Sequence, residues 1–296
     1  MKILVTGGAG FIGSHTVDEL IKDKHHVAVV DNFRTGKKEN VNPKAKLYTV
    51  DMCNQKEMDT IFTKEKPEVV IHLAAQTNAQ VSLKEPELDR KLNVEGTQCI
   101  IELCKKHVVQ RIIFASSAAV YGNLDALPIK EGSRTEPISP YGNNKIAAEE
   151  IIKKSGIPFV ILRYANVYGP RQDPTGEGGV VSIFFDRMKR NEPVTIHGDG
   201  SQTRDFIFVK DVARANTLAL AHGTNSIFNI STNTEVSIKQ LAEALKRALN
   251  SKSDIVFRDK KDGDIYKSRL DDQKAREAGL LHGLTSIEQG MRGMVE

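Results

Sequence analysis

Apolar residues in the first half of the chain alternate between two periods. Short runs rich in Val, Ile and Leu at 2–6, 27–31, 46–50, 69–73, 110–115 and 158–163 predict buried strands. Between them, apolar positions recur every three or four residues and predict helices over 11–22, 55–63, 84–106 and 140–154. Fully apolar strands alternating with amphipathic helices predict an α/β fold, a Rossmann-type doubly wound parallel sheet covered on both faces. Ligands of such sheets bind beyond the carboxyl ends of the strands, so the residues after Thr6, Asp31, Leu73, Ala115 and Arg163 are expected to share one crevice.

Beyond Arg163 the pattern breaks. Residues 170–179, PRQDPTGEGG, are dense in Pro and Gly and read as a mobile loop. A helix near 180–190, strands near 194–196, 206–208 and 227–230, and helices near 211–221 and 237–249 follow. The expected division is a dinucleotide-binding domain over 1–165 and a smaller C-terminal α/β substrate domain over 166–296, with the segment near 206–224 packing back on the first. Neither an internal repeat nor a low-complexity tract is present.

The first strand runs into TGGAGFIGS at 6–14, and a helix follows directly. Gly8, Gly10 and Gly13 fit G-x-G-x-x-G, while Gly7, Gly10 and Gly13 fit G-x-x-G-x-x-G. Glycines at a strand-to-helix turn let the backbone approach a pyrophosphate, and the helix N-terminus offers free N–H groups to it. The next strand ends at Asp31, where a carboxylate accepts hydrogen bonds from the adenosine ribose. That charge repels a 2′-phosphate and favours NAD over NADP, although Arg34 and Lys37 lie close by.

Composition adds little. The 296 residues are 40% hydrophobic and 27% charged, which suits one or two soluble domains. The net charge of +4 leans weakly toward anionic ligands, and Lys and Arg are dispersed, which argues against nucleic acid as a partner. Cys53, Cys99 and Cys104 have neither metal-ligand spacing nor an even disulfide count; Cys99 and Cys104 read as buried thiols. No apolar run approaches about 18 residues and no signal pattern opens the chain, so no membrane contact and a cytoplasmic location are expected.

Two further segments carry reactive groups. The strand over 110–115 runs into Ser116 and Ser117, and the helix over 140–154 opens with Ser139-Pro140-Tyr141. Tyr141 and Lys145, four residues apart, share a helix face. An adjacent ammonium favours the phenolate and is expected to draw the Tyr141 pKa from about 10 toward neutrality. Tyr141 thus reads as a general base toward a substrate hydroxyl, with Ser117 relaying the proton or holding the hydroxyl.

With these residues the sequence resembles the extended short-chain dehydrogenase/reductases, most closely the UDP-glucose 4-epimerase branch of the nucleotide-sugar epimerases. The carrying segments are TGGAGFIGS, DNF at 31–33, HLAA at 72–75, LNVEGT at 92–97, SSAAVYG at 116–122, YGNNK at 141–145, RYANVYGPRQ at 163–172 and GDGSQTRDFIFVKDVA at 198–213. The resemblance implies that Gly7, Gly10, Phe11, Ile12 and Gly13 cradle the pyrophosphate of NAD and that Asp31 and Asn32 hold its ribose. It implies that Asp51 and Met52 border the adenine, that Leu73, Ala74 and Ala75 line the channel, and that Asn93 orders the catalytic loop. Ser117, Tyr141 and Lys145 are implied as the catalytic group, with Lys145 also on the nicotinamide ribose. Asn166, Val180 and Arg204 are implied beside the nucleotide diphosphate of a UDP-sugar, Arg204 having an ion pair with Asp205 as its bland alternative.

Two departures matter. Ala118 and Ala119 stand where related dehydratases and decarboxylases carry acids, which removes elimination chemistry. Lys261, before Gly263-Asp264, stands where the family has a second phosphate-clamping arginine, with Arg258 as an alternative by register shift. Counting onward from Gly263 puts Ser268 beside carbon 2 of the hexose, unless Tyr266 fills that space; a small residue there leaves room for an N-acetyl group. The activity implied is reversible 4-epimerisation of a UDP-hexose through a transient 4-keto sugar. The alternatives are another nucleotide sugar such as a UDP-uronate, or a non-catalytic dinucleotide sensor. A homodimer through helices 84–106 and 140–154 fits the same resemblance.

Overall fold

A computed structural model describes residues 1–175, 179–260 and 266–295. From the N-terminus, β1 (Lys2–Thr6), α1 (Phe11–Lys22), β2 (His26–Asp31), β3 (Lys46–Thr49), α2 (Gln55–Glu65) and β4 (Val69–His72) lead to three short helical pieces. These are α3 (Ala79–Lys84), α4 (Pro86–Arg90) and α5 (Gly96–Lys106), the last two joined by a π-helical turn at Lys91–Glu95. Then come β5 (Arg111–Ser117), α6 (Pro140–Lys153), β6 (Phe159–Tyr164), β7 (Asn166–Tyr168), α7 (Val180–Lys189), β8 (Val194–His197), β9 (Thr203–Arg204), β10 (Phe206–Phe208) and α8 (Val209–Leu218). The chain ends with β11 (Ser226–Ile230), β12 (Val236–Ser237), α9 (Ile238–Ala248), β13 (Ile255–Arg258), α10 (Gln273–Glu277) and α11 (Ile287–Arg292).

Seven parallel strands form one sheet in the order β11-β6-β5-β4-β1-β2-β3. The period of two explains its double cover. Ile3, Val5, Val29 and Ile113 point to one face and meet Val17 and Leu20 of α1 and Val212 and Ala215 of α8. Leu4, Val30, Ile112 and Phe114 point to the other and meet Met58 and Phe62 of α2, Ile100 and Ile101 of α5, and Ala148 and Ile152 of α6. A third core gathers Phe184 and Met188 of α7, Ile196 of β8, Phe206 and Phe208 of β10, Leu241 and Leu245 of α9, and Met291 of α11.

Three expectations need correction. The single helix expected over 84–106 starts earlier and is broken. Pro86, which lacks an N–H, starts α4, and the π-turn carries Asn93. The strand near 227–230 hydrogen-bonds to β6 and is the outer strand of the large sheet, because its apolar residues cover the edge that β6 leaves open. Cys104 is buried, but Cys99 is only half-buried.

At the end of β4, paired with Thr6 of β1, His72 is 1% exposed and lies between two threonine hydroxyls. Thr97 Oγ1 donates to Asn93 O (2.7 Å), so the contact with His72 Nε2 (3.1 Å) is donated by the ring, and Nδ1 accepts from Thr6 Oγ1 (2.7 Å). Burial, with Lys145 nearby, holds this imidazole down at about 3 against an ordinary 6.5. The unfolded chain therefore binds a proton below pH 6.5 that the native ring refuses, and stability falls as pH drops from 6.5 toward 3. One such group contributes roughly 1.4 kcal/mol per pH unit in that window. Denaturant unfolding at a series of pH values is expected to show this slope, and His72→Gln is expected to flatten it.

Candidate active site

A cavity of about 890 Å³ runs along the carboxyl ends of the central strands, as the switch in strand order at β1 dictates. At one end the turn from β1 to α1 is pinned by Gly7 N to Val30 O (2.8 Å) and Gly10 N to Gly7 O (3.1 Å). Gly7 has φ +72°, and a Cβ there would stand 2.7 Å from Ala74 N. A Cβ on Gly13 would stand 2.0 Å from Gly7 O. Only glycine permits this packing, and no side chain caps the first turn of α1 beside the cavity. Gly7, Gly10, Phe11, Ile12 and Gly13 all line the wall.

Asp31 closes β2 beside the cradle. Its carboxylate accepts from Ala9 N (2.9 Å) and Phe33 N (2.8 Å), which leaves lone pairs for ligand hydroxyls. Gly36 lets the loop over 34–37 fold across it, since a Cβ there would meet Asp31 Oδ1 at 2.7 Å. Asn32 donates to Asp51 Oδ2 (3.0 Å), which ties the ends of β2 and β3 together. Asp31, Asn32, Asp51, Met52, Leu73, Ala74 and Ala75 line the wall, and so do Arg34 and Lys37. Asn93 does not. It lies behind the wall and donates from Nδ2 to Gln76 O (2.9 Å), and so acts on the cavity through Gln76.

Ser117, Tyr141 and Lys145 all line the cavity. Parallel pairing of Ser117 with Tyr164 carries β5 two residues beyond its expected end and presents Ser117. Ser139 caps α6 through Gly142 N (3.2 Å), Pro140 follows, and Tyr141 enters the first turn with its N–H donated to Ser82 Oγ (3.1 Å). One turn later Lys145 donates to Ala115 O (2.8 Å), with Nζ 5.9 Å from the Tyr141 ring centroid.

The electrostatics correct the expectation for Tyr141. In the chain by itself, burial pushes the phenol up to about 12, a hydrogen bond with Ser117 pulls it down, and Asp89 pushes it up again. Burial also draws the Lys145 ammonium down to about 8, against Asp89 and Glu149. Loss of water is the largest influence on both groups, and residue spacing does not reveal it.

The remaining expected residues lie off the described wall of this cavity. Asn166 is exposed, with Nδ2 on Asp205 O (3.1 Å). Val180, half-buried, opens α7 and packs on the third core. Arg204 is half-buried and donates to Thr203 O (2.8 Å). The Asp205 carboxylate is turned inward to Thr232 and Leu270 N–H. Ser268 is half-buried; the Tyr266 hydroxyl sits 3.0 Å from Ser201 Oγ. Lys261, Gly263 and Asp264 lie outside the described residues, as does part of the loop over 170–179.

Sequence reasoning did not single out Gln76, Val81, Gln172 or Thr175, which also line the wall. Gln76 follows Ala75 directly, so the strand-end rule would have reached it. Nor did it single out Asp89, which is 0% exposed behind the wall; an acid in a helical stretch reads as a solvated face.

The model of the NAD dependent epimerase/dehydratase family matches residues 3–231. A putative UDP-glucose 4-epimerase of Methanocaldococcus jannaschii is 46% identical, over 99% of this chain and 97% of its own. The crystal structure of UDP-glucose 4-epimerase with UDP-glucose from Thermotoga maritima superposes with a TM-score of 0.95 at 44% identity, covering 100% of this chain and 97% of that one. The UDP-N-acetylglucosamine 4-epimerase of Methanobrevibacter ruminantium, in complex with UDP-N-acetylmuramic acid, superposes with a TM-score of 0.93 at 33% identity, covering 99% and 96%.

Proposed function

Because the chain belongs to the NAD-dependent epimerase/dehydratase family, we propose that it catalyses reversible 4-epimerisation of a UDP-hexose, with UDP-glucose and UDP-N-acetylglucosamine both accepted. The observation that carries this reading is the meeting of Ser117, Tyr141 and Lys145 on one wall of the cavity that begins at the glycine cradle. The activities named for the relatives support it, as do Ala118 and Ala119 in place of the acids that elimination needs.

The residues present fit NAD. Gly7 and Gly13 let the turn pack tightly on Ala74 and on itself beside the cavity that Gly7, Gly10, Phe11, Ile12 and Gly13 line, and Asp31 keeps free lone pairs for the ribose. When bound, NAD supplies the acceptor and donor of the carbon 4 hydrogen. Tyr141 takes the proton of the sugar 4-hydroxyl and returns it after the transient 4-keto sugar has turned over in the pocket. Ser117 holds that oxygen, and Lys145 steadies the phenolate and reaches the nicotinamide ribose. Asn166, Val180 and Arg204 hold the UDP portion, and Lys261 is a further phosphate ligand.

The test is incubation with UDP-glucose and, separately, UDP-N-acetylglucosamine, with chromatographic separation of the products. The C4 epimer of each is expected, and absence of both epimers overturns the reading. Ser268→Tyr is expected to remove turnover of the N-acetylated sugar while sparing UDP-glucose, because overpacking commonly costs about 1–3 kcal/mol; equal effects on both sugars would place Ser268 away from carbon 2. For the cofactor, Asp31 predicts NAD co-purifying or preferred over NADP. Asp31→Ala is expected to erode that preference, measured as the ratio of dissociation constants.

We also place a homodimer on the outer faces of α5 and α6, where Gln98, Cys99, Glu102 and Ile151 line a shallow groove. No described helix is long and apolar enough to cross a membrane, and a cytoplasmic site of action suits a nucleotide-sugar substrate.

A further inference from the structure

Behind the catalytic wall a buried carboxylate binds three segments together. Asp89 of α4 is 0% exposed. Its Oδ1 accepts from Gln76 Nε2 (2.6 Å), in the loop after β4, and its Oδ2 from Asn144 Nδ2 (2.7 Å), between Tyr141 and Lys145 on α6. Gln76 Nε2 also donates to Asn78 O (2.9 Å), and Gln76 O receives Asn93 Nδ2 (2.9 Å). The loop that lines the cavity is thus tied through Asp89 to the helix that carries the reacting phenol.

We propose that Asp89 is a positioning residue for proton transfer: it fixes Gln76 and α6 against each other and keeps a negative charge behind Tyr141 and Lys145. The inference rests on Tyr141 as the proton acceptor and is independent of which sugar is bound.

The other groups facing the pair leave the charge behind Tyr141 to Asp89. On α6, Glu149 is matched by Arg163 of β6, with Nη2 to Oε2 at 2.6 Å and Nε to Oε1 at 2.9 Å, and it also receives Ser116 Oγ from β5 at 2.5 Å. On β4, His72 is neutral between its two threonines. Ser117 of β5 and Ser82 of α3 carry no charge. Asp89, by contrast, is held by the amide donors of Gln76 and Asn144; it favours the protonated form of both Tyr141 and Lys145, with Glu149 adding to the effect on Lys145 alone.

The carboxylate therefore opposes ionisation of the base and keeps Lys145 cationic. The first effect holds the phenol protonated until the site is loaded, and the second preserves the ammonium that supports the phenolate.

Asp89→Asn keeps the shape and removes the charge, and Asn144 can turn its amide to meet the new donor. Tyrosinate absorbance is titrated for the parent minus Tyr141→Phe, and for Asp89→Asn minus the double variant. The Tyr141 ionisation is expected at lower pH without the carboxylate, and coincident curves would overturn the proposal. This readout needs no substrate, so it stays separate from failure of the epimerase reading, which absence of turnover in the parent would signal. Turnover of UDP-glucose is expected to respond in the same direction, with the ascending limb of kcat against pH moved to lower pH. Asn144→Ala covers the case in which Asp89→Asn does not fold. It keeps the charge and removes one tie, so kcat is expected to fall while the Tyr141 titration does not move to lower pH. Parent-like kcat, or an acid displacement of the titration, would count against Asp89.

Discussion

Tyr141→Phe is expected to lose roughly 10²–10⁴-fold in turnover while keeping its NAD, since that is the usual worth of a positioned general base. Tyr141 is 8% exposed on the cavity wall, so Phe preserves the wall and removes only the ionisable oxygen. In the chain by itself burial draws the Lys145 ammonium down to about 8 and pushes the Tyr141 phenol up to about 12, so the phenolate is not the resting form at neutrality. The parent should therefore gain turnover as pH rises, and the Phe variant should lack that limb. Steady-state rates at several pH values, with NAD content measured alongside, check both points. A Phe variant with parental turnover would remove Tyr141 from the chemistry.

The second large effect is expected at the cradle. Gly13→Ala places a Cβ 2.0 Å from Gly7 O, 2.8 Å from Gly7 C and 2.9 Å from Gly8 Cα. All three are backbone atoms of the turn itself, so no flexible side chain can yield. The turn must open, at a cost of about 1–3 kcal/mol or more, and the N–H groups of α1 leave their convergence on the phosphates. Each 1.4 kcal/mol is about tenfold, so NAD affinity should fall by tenfold to a hundredfold or beyond. Gly132→Ala is the control, because a Cβ there meets nothing within 4 Å. Equilibrium NAD binding and thermal melting of the two variants decide the matter: parental affinity in Gly13→Ala would show that the turn is not the cofactor cradle.

Much of the site was legible because its parts are local. A strand, a glycine turn and a helix lie within residues 2–22, and Tyr141 and Lys145 lie within one helical turn. Asp31 and Ser117 sit at strand ends, where parallel topology brings separate segments to one edge. Asp89 was not legible. Its partners are 13 and 55 residues away in sequence, and nothing in the run Pro86–Arg90 distinguishes a buried acid from a solvated one. The break in the helix expected over 84–106 had a visible cause in Pro86, but the π-turn depends on Asn93 reaching Gln76 and on Thr97 holding the Asn93 carbonyl.

The sequence alone determined the alternation of strand and helix, the parallel sheet, the glycine cradle, and which residue types stand at the strand ends. Each follows from period and backbone freedom, which act over a few residues. Tertiary structure decided that β11 is an outer strand of the large sheet, because pairing partners are chosen by which edge remains uncovered; the return of α8 to the first domain was already expected from the sequence. It also decided the protonation of Tyr141 and Lys145. Desolvation depends on everything packed around a group, and at Tyr141 burial is the largest influence and raises the phenol.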